Sequence, residues 1–225
     1  MTSDHPKFEP SKNGNLLLNL GQDEEGIKIA AISGDGHRVL TTQEVGAARI
    51  WNADSGEELS GFRAESPLEG DLDKAPIAEK FQVFIESAAL NVDGSLALVG
   101  LNDGTAAIYR VSDGRRLSVL HPPEEEPATD WGVILAVGFS PDGTLALVGF
   151  DGRRMGVWSE DGSELVCFLR DPKGTKLVGH HWFRETLVSD VSATKDNRFV
   201  FAGCLDRTVS IWEVKSGKLV LEANE

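Results

Sequence analysis

A fixed interval of 16 residues recurs four times in this chain of 225 residues. Each interval begins at an aspartate in a short polar segment and ends at an aromatic residue that closes an apolar stretch. A repeated unit constrains the fold more than any local propensity does, because every copy must form the same structure. The four pairs are Asp35 and Trp51, Asp93 and Tyr109, Asp142 and Trp158, and Asp196 and Trp212.

Each unit predicts four short antiparallel strands joined by tight turns. In the segment TVSIW, Val209 and Ile211 alternate with Ser210 and Trp212, as expected of a strand whose two faces differ. Asp-Gly occupies the first turn of three units, since glycine accepts the positive φ of a tight hairpin. Asn197 replaces that glycine in the fourth unit, and asparagine is the next most tolerant residue. The pattern predicts an all-β protein.

The segments FSPDGTLALVGFDGRRMGVW and KDNRFVFAGCLDRTVSIWEVKSGKLV resemble the WD-repeat (WD40) β-propeller family, and the resemblance covers about residues 16–221. It implies a WD40-type propeller of four blades, each a four-stranded antiparallel sheet. A polar, disordered segment is expected at 1–15 and an additional strand at 16–20. The four blades are expected at about 27–62, 83–120, 133–169 and 187–221.

The repeats depart from the family pattern at several positions. None of the four aromatic residues is followed by aspartate. The family's aspartate between the second and third strands appears as Asp103 and Asp206, and its Gly-His pair is clear only at Gly179-His180. In the family, such a histidine and aspartate join a hydrogen-bond network with the tryptophan. The resemblance therefore implies such a network in the fourth blade, around Trp212.

Four blades are fewer than the seven or eight with which the family usually closes its ring. An open arc of four would expose the apolar faces of its end blades. We therefore expect a half-propeller or open arc completed by a second chain, either in a homodimer or in a larger complex. Closure of four blades alone is the remaining alternative. The segments 16–20 and 218–221 both read as outer strands, and the sequence leaves open which of them closes the last blade.

Long insertions separate the units, and all of them fall between the fourth strand of one unit and the first strand of the next. In a propeller these connections emerge on one face, where loops carried by a rigid scaffold form binding sites. Exposed tryptophan and arginine are common interface anchors. The predicted partner-binding residues are Glu124, Glu125, Glu126, Trp131, His180, His181, Trp182 and Arg184.

No catalytic motif is present: the sequence lacks GxSxG, HExxH, a P-loop and a GxGxxG segment after a strand. A metal site at His180 and His181 with Glu185 and Asp190 is disfavoured, because adjacent histidines on a strand point to opposite sides. We expect no enzyme activity, no metal and no cofactor. The predicted function is a protein-interaction scaffold or adaptor. The alternatives are an accessory subunit of an enzyme complex and, less favoured, a small-ligand binder or enzyme using the central pocket.

Composition limits the partners and the compartment. The formal net charge of −14 repels phosphate backbones and argues against nucleic acid. The first 15 residues lack the apolar core of a secretory signal, and no apolar run approaches the length needed to cross a bilayer. Two cysteines, Cys167 and Cys204, make no disulfide framework. The expected location is the cytoplasm, and the expected partners are proteins.

Overall fold

The computed structural model describes residues 26–43, 46–65, 83–123, 133–150, 152–170 and 187–224. These residues form sixteen β-strands and no helix, so no membrane-spanning helix occurs within them. The predicted partner-binding residues and the segment 16–20 lie outside the described residues.

The strands form four antiparallel sheets of four strands, each in sequence order, which confirms the prediction of four blades. Blade 1 contains β1 (Ile29–Ile32), β2 (Arg38–Thr42), β3 (Ala47–Asn52) and β4 (Glu58–Arg63). Blade 2 contains β5 (Ile85–Leu90), β6 (Leu96–Leu101), β7 (Ala106–Arg110) and β8 (Arg116–Leu120). Blade 3 contains β9 (Ala136–Phe139), β10 (Leu145–Phe150), β11 (Arg154–Ser159) and β12 (Leu165–Arg170). Blade 4 contains β13 (Val188–Ala193), β14 (Phe199–Cys204), β15 (Thr208–Glu213) and β16 (Lys218–Asn224).

The repeated aspartate closes the first turn of every blade. In each turn its carboxylate accepts a hydrogen bond from the backbone N–H two residues later, at 2.9–3.1 Å. Three of the four also accept a bond from a hydroxyl two residues earlier, as Asp142 does from Ser140 at 2.7 Å. Asn197 adopts a φ of 54°, which fulfils the role that its position in the sequence predicts.

Asp142 is the most strongly stabilised of these carboxylates. Burial opposes its ionisation, but hydrogen bonds from Ser140, Thr144 and Asn197 outweigh this effect and lower its pKa from 3.8 to about 2. The Asn197 amide reaches it from blade 4 at 2.6 Å, so this turn also joins two blades.

This depressed pKa predicts acid sensitivity. A carboxyl group whose pKa is lower in the folded state stabilises the protein above its unfolded-state pKa, and that contribution disappears as pH falls through the folded-state value. We expect the stability advantage of the native chain over Asp142→Asn to shrink between about pH 4 and pH 2. Urea-unfolding midpoints of both chains across this range measure the effect. A difference that is independent of pH would contradict it.

The fourth strand of every blade contains one extra residue, opposite the step that precedes the aromatic residue of the third strand. The register between third and fourth strands shifts at Ile50/Trp51, Ile108/Tyr109, Val157/Trp158 and Ile211/Trp212. Such an insertion increases local twist and re-aims side chains. The repeat therefore extends to backbone detail, and residues can be matched between blades through their registers.

Three apolar cores lie between successive blades. The first joins blades 1 and 2, the second joins blades 2 and 3, and the third joins blades 3 and 4. The described strands of blades 4 and 1 share no comparable packing. The four blades therefore form an open arc, as the sequence predicts.

Candidate protein-interaction surface

The long inter-blade connections leave the sheets at one edge of the arc. Because successive strands are antiparallel, this edge also carries the turns between the second and third strands, and the aspartate turns lie at the opposite edge. We call the first edge the loop face. All eight predicted partner-binding residues belong to connections on this face, outside the described residues, and they remain predictions.

The innermost strands hold few charged groups that could form a small-molecule site. Lys28 and Glu86 lie on adjacent blades, and their side chains pair with each other at 2.8 Å between Nζ and Oε2. Asp190, on the innermost strand of blade 4, is exposed. Within the described residues, no group of three or more His, Cys, Asp or Glu side chains could hold a metal ion. This arrangement favours the arc's other surfaces as the interaction site.

The surface of blade 4 that faces away from blade 3 is apolar, although no blade of the described structure covers it. Phe201 pairs with Ile211 and Gly203 with Val209, while Leu221 lies opposite Ile211 on β16. Paired residues of neighbouring strands share one face of a sheet. We call these five residues the terminal surface of blade 4.

The second- and third-strand positions of the terminal surface are buried in the other blades. Val209 is 44% exposed and Leu221 is 52% exposed, whereas Phe201 and Ile211 are half-buried. Their counterparts on the second and third strands of blades 1–3 are at most 2% exposed. These counterparts are Leu40, Ala48, Ile50, Leu98, Ala106, Ile108, Leu147, Met155 and Val157. Blade 4 thus carries the apolar side chains of a blade–blade interface without a following blade in the described structure.

Gly203 marks the same surface. Its counterparts in blades 2 and 3 are Gly100 and Gly149, where the next blade comes very close, whereas blade 1 has Thr42 at this position. A Cβ at Gly149 would lie 2.6 Å from Val188 Cβ, and one at Gly100 would lie 2.7 Å from the Ile134 carbonyl oxygen. At Gly203 the nearest atom would be Asp190 Cβ at 3.8 Å. Glycine at this position leaves room for a neighbouring blade, and at Gly203 that room is unfilled.

An ion cluster fastens blade 3 to blade 4 on the loop face. Arg153 Nε donates to Asp206 Oδ2 at 2.7 Å, its Nη2 contacts the same oxygen, and its Nη1 donates to Glu222 at 3.2 Å. All three side chains are at least 82% buried. Burial disfavours the charged form of Asp206, but hydrogen bonds from Thr208 and Arg153 hold its pKa below the usual value.

Arg153 occupies a backbone conformation that side chains rarely adopt. Its φ is 56°, and Arg207, the equivalent residue of blade 4, has a φ of 70°. The left-handed region costs a non-glycine residue about 1–2 kcal/mol. Blades 1 and 2 have Gly46 and Gly104 there, also at positive φ. At Arg153 the two carboxylates of the next blade offset this cost.

Arg207 has no corresponding partners within the described residues: its side chain is exposed, and its guanidinium makes no ion pair or hydrogen bond there. Its φ belongs to a turn that is repeated in all four blades, so Arg207 carries the backbone cost of this turn without the ion pairs of Arg153. Arg207 borders the terminal surface on the loop face.

The tryptophan hydrogen bonds differ from those that the family pattern implies. Trp212 Nε1 donates to the Arg170 carbonyl oxygen of blade 3 at 3.4 Å, and Asp206 binds Arg153. His180 lies outside the described residues. A tryptophan–hydroxyl bond instead appears in blade 1, where Trp51 Nε1 donates to Thr41 Oγ1 at 2.8 Å. The sequence contains the signal for this bond, because only blade 1 has a hydroxyl residue at the position of Thr41.

Comparison with known proteins identifies the repeat. A family model described as "WD domain, G-beta repeat" matches residues 171–213, a span that includes most of blade 4. This span matches a WD repeat. Three relatives match along most of the chain, and two of them are named as WD repeat-containing proteins.

The first of these is angio-associated migratory cell protein of Homo sapiens, 25% identical over 208 residues, or 92% of this chain and 40% of the relative. WD repeat-containing protein 18 of Danio rerio is 26% identical over 94% of this chain and 46% of its own length. WD repeat-containing protein 90 of Xenopus tropicalis is 24% identical over 89% of this chain and 10% of its own. The chain therefore spans less than half the length of each relative.

Proposed function

We propose that this chain is a non-catalytic scaffold that binds partner proteins through the terminal surface of blade 4 and through the long loops of the loop face. WD-repeat proteins in general act as protein-interaction scaffolds. The observation that carries the proposal is the exposure of Val209 at a position where the other three blades bury an apolar side chain. A rigid sheet surface of this kind, when it stays uncovered, favours association with another protein.

The partner that covers this surface is either a second copy of the chain or a different protein. In both cases the partner packs on blade 4 as one blade packs on the next. The loop face supplies a second region, in which Trp131, Trp182 and Arg184 would anchor a partner and the run Glu124, Glu125 and Glu126 would attract a basic one.

Affinity capture with matched variants tests the proposal. Val209 and Val166 are exposed to nearly the same extent, 44% and 46%, but Val166 lies on the outer strand of blade 3, away from the terminal surface. We expect Val209→Asp to abolish capture of a partner that is identified by mass spectrometry, and Val166→Asp to leave it unchanged. Unfolding midpoints of both variants control for folding.

The loop face is tested in the same experiment. Replacement of Trp182 by alanine, or of Glu124, Glu125 and Glu126 by glutamine, is expected to weaken capture. If none of these variants reduces the amount of partner that is captured, neither surface is the binding site. If the native chain captures nothing and sediments as a compact monomer at micromolar concentration, the proposal of a scaffold completed by a partner is contradicted.

A further inference from the structure

The interface between blades 3 and 4 shows what a following blade must offer besides apolar contact. Its apolar core is accompanied by the pairing of Arg153 with Asp206 and Glu222 across the two blades. Asp206 is oriented within its own turn, where it accepts hydrogen bonds from the backbone N–H and hydroxyl of Thr208 at 3.0 and 2.5 Å. The carboxylate is thus held in place to receive the arginine.

Arg207 repeats the arginine half of this pair at the end of the arc. It follows β14 as Arg153 follows β10, and it shares the positive φ. It lies beside Gly203 and Val209, which repeat the glycine and apolar positions of the same interface. The arginine, the glycine and the apolar position of the blade 3 surface therefore all recur on blade 4. No described residue of another blade packs against them there.

We propose that the terminal surface of blade 4 docks a further propeller blade that carries a carboxylate in the turn between its second and third strands, and that Arg207 selects it. This inference rests on the proposed scaffold function and specifies the partner's chemistry. The docking blade would present its carboxylate to Arg207 as Asp206 does to Arg153. Its neighbouring strand would lie close over Gly203.

The first blade of a second copy lacks a carboxylate at the position equivalent to Asp206. The register between β2 and β3 gives Val45 as the residue equivalent to Asp206 and Gly61 as the one equivalent to Glu222. Val45 lies outside the described residues, and the carboxylate of that turn, Glu44, stands one position earlier in the sequence. A head-to-tail homodimer would therefore offer Arg207 no carboxylate at the position that Asp206 occupies, which favours a different blade as the occupant.

A chain extended by one blade tests the inference directly. Residues 171–224 are repeated after Asn224, so that the added blade follows blade 4 as blade 4 follows blade 3 and brings its own copy of Asp206. The equilibrium constant for unfolding is measured in urea for Arg207→Ala, for alanine at the copied aspartate, and for both together. We expect each single change to shift it about tenfold and the double change to add little.

The 225-residue chain supplies the controls. Arg207→Ala should change its unfolding constant by less than about twofold, because Arg207 has no partner within the described residues. Lys195→Ala, at an exposed lysine on the opposite edge, should have no effect in either chain. Gly203→Ala reports docking itself: it should be tolerated in the native chain and should destabilise the extended one.

The outcomes separate the inference from the proposed function. If Gly203→Ala destabilises the extended chain but Arg207 and the copied aspartate are uncoupled, a blade docks without charge selection, and the inference is wrong while the terminal surface stands. If Gly203→Ala has no effect on an extended chain that folds, the terminal surface does not accept a blade. Sedimentation showing a homodimer of the native chain that Gly203→Ala disrupts and Arg207→Ala leaves intact would also overturn the inference.

A second extension covers the case in which a single added blade does not fold. Residues 66–170 supply blades 2 and 3 with their native interface intact, and blade 2 carries Asp103 at the position of Asp206. Asp103 is held in the same way, by the N–H and hydroxyl of Thr105 at 2.9 and 2.7 Å. Coupling between Arg207 and the copied Asp103 is expected, and its absence in a folded chain counts against the inference.

Discussion

Gly149→Ala is expected to destabilise the chain by about 1–3 kcal/mol, the range for forcing an extra methyl group into a closed interface. The added Cβ would lie 2.6 Å from Val188 Cβ, closer than carbon atoms approach in folded proteins. Val188 is 1% exposed and belongs to the core between blades 3 and 4, so it has little room to move. The added methyl group would either strain the interface or push the two blades apart, and both effects reduce stability. Urea unfolding measures the change.

Gly203→Ala is the matched control for this prediction. The two glycines occupy equivalent positions on β10 and β14, and neither has a positive φ. Alanine restricts the unfolded chain more than glycine does, which favours folding by about 0.4–1 kcal/mol where the site has room. We therefore expect Gly203→Ala to be neutral or slightly stabilising. Equal destabilisation by both substitutions would show that blade packing is not the cause at Gly149.

The strands could be predicted from the sequence because their determinants are local and repeated. The interval between Asp142 and Trp158 spans one turn, two strands and a second turn, so its constancy fixes the pairing of those strands. Alternation in TVSIW likewise assigned Ser210 and Trp212 to one face and Val209 and Ile211 to the other. The structure buries the first pair completely and leaves Val209 44% exposed.

The blade–blade contacts could not be predicted in the same way. Arg153 and Asp206 are 53 residues apart, and their pairing depends on the angle between two sheets. The same applies to the bond of Asn197 to Asp142, which crosses from one blade to the next. Equivalent residues had to be matched through strand registers before Gly203 and Arg207 could be recognised as copies of Gly149 and Arg153.

Only part of the candidate interaction surface could be predicted from the sequence. Loop length indicated a binding face, and its predicted residues, from Glu124 to Arg184, lie outside the described part of the chain. The terminal surface of blade 4 was anticipated only as an exposed end of an open arc. Its composition follows from repetition: a blade that copies its predecessors also copies the side chains with which they bind their successors.

Arg153→Ala is expected to destabilise the chain by about 2–3 kcal/mol. Removal of one partner from a buried ion pair costs about 3–5 kcal/mol, because the remaining charges stay buried without compensation. The side chains of Asp206 and Glu222 are 14% and 15% exposed, so water relieves part of that cost. The unfolding free energy in urea measures the effect, and a loss below about 0.5 kcal/mol would contradict a structural role for the cluster.

Arg153→Gly separates the ion pairs from the backbone strain. Glycine loses the same pairs but accepts the φ of 56° without penalty, so this variant should be about 1 kcal/mol more stable than Arg153→Ala. At Arg207 only the strain is present in the described structure. Arg207→Ala should therefore be close to neutral, and Arg207→Gly should stabilise the chain by about 1 kcal/mol. If Arg207→Ala were as damaging as Arg153→Ala, Arg207 would already be engaged within the chain, and its availability to a further blade would be refuted.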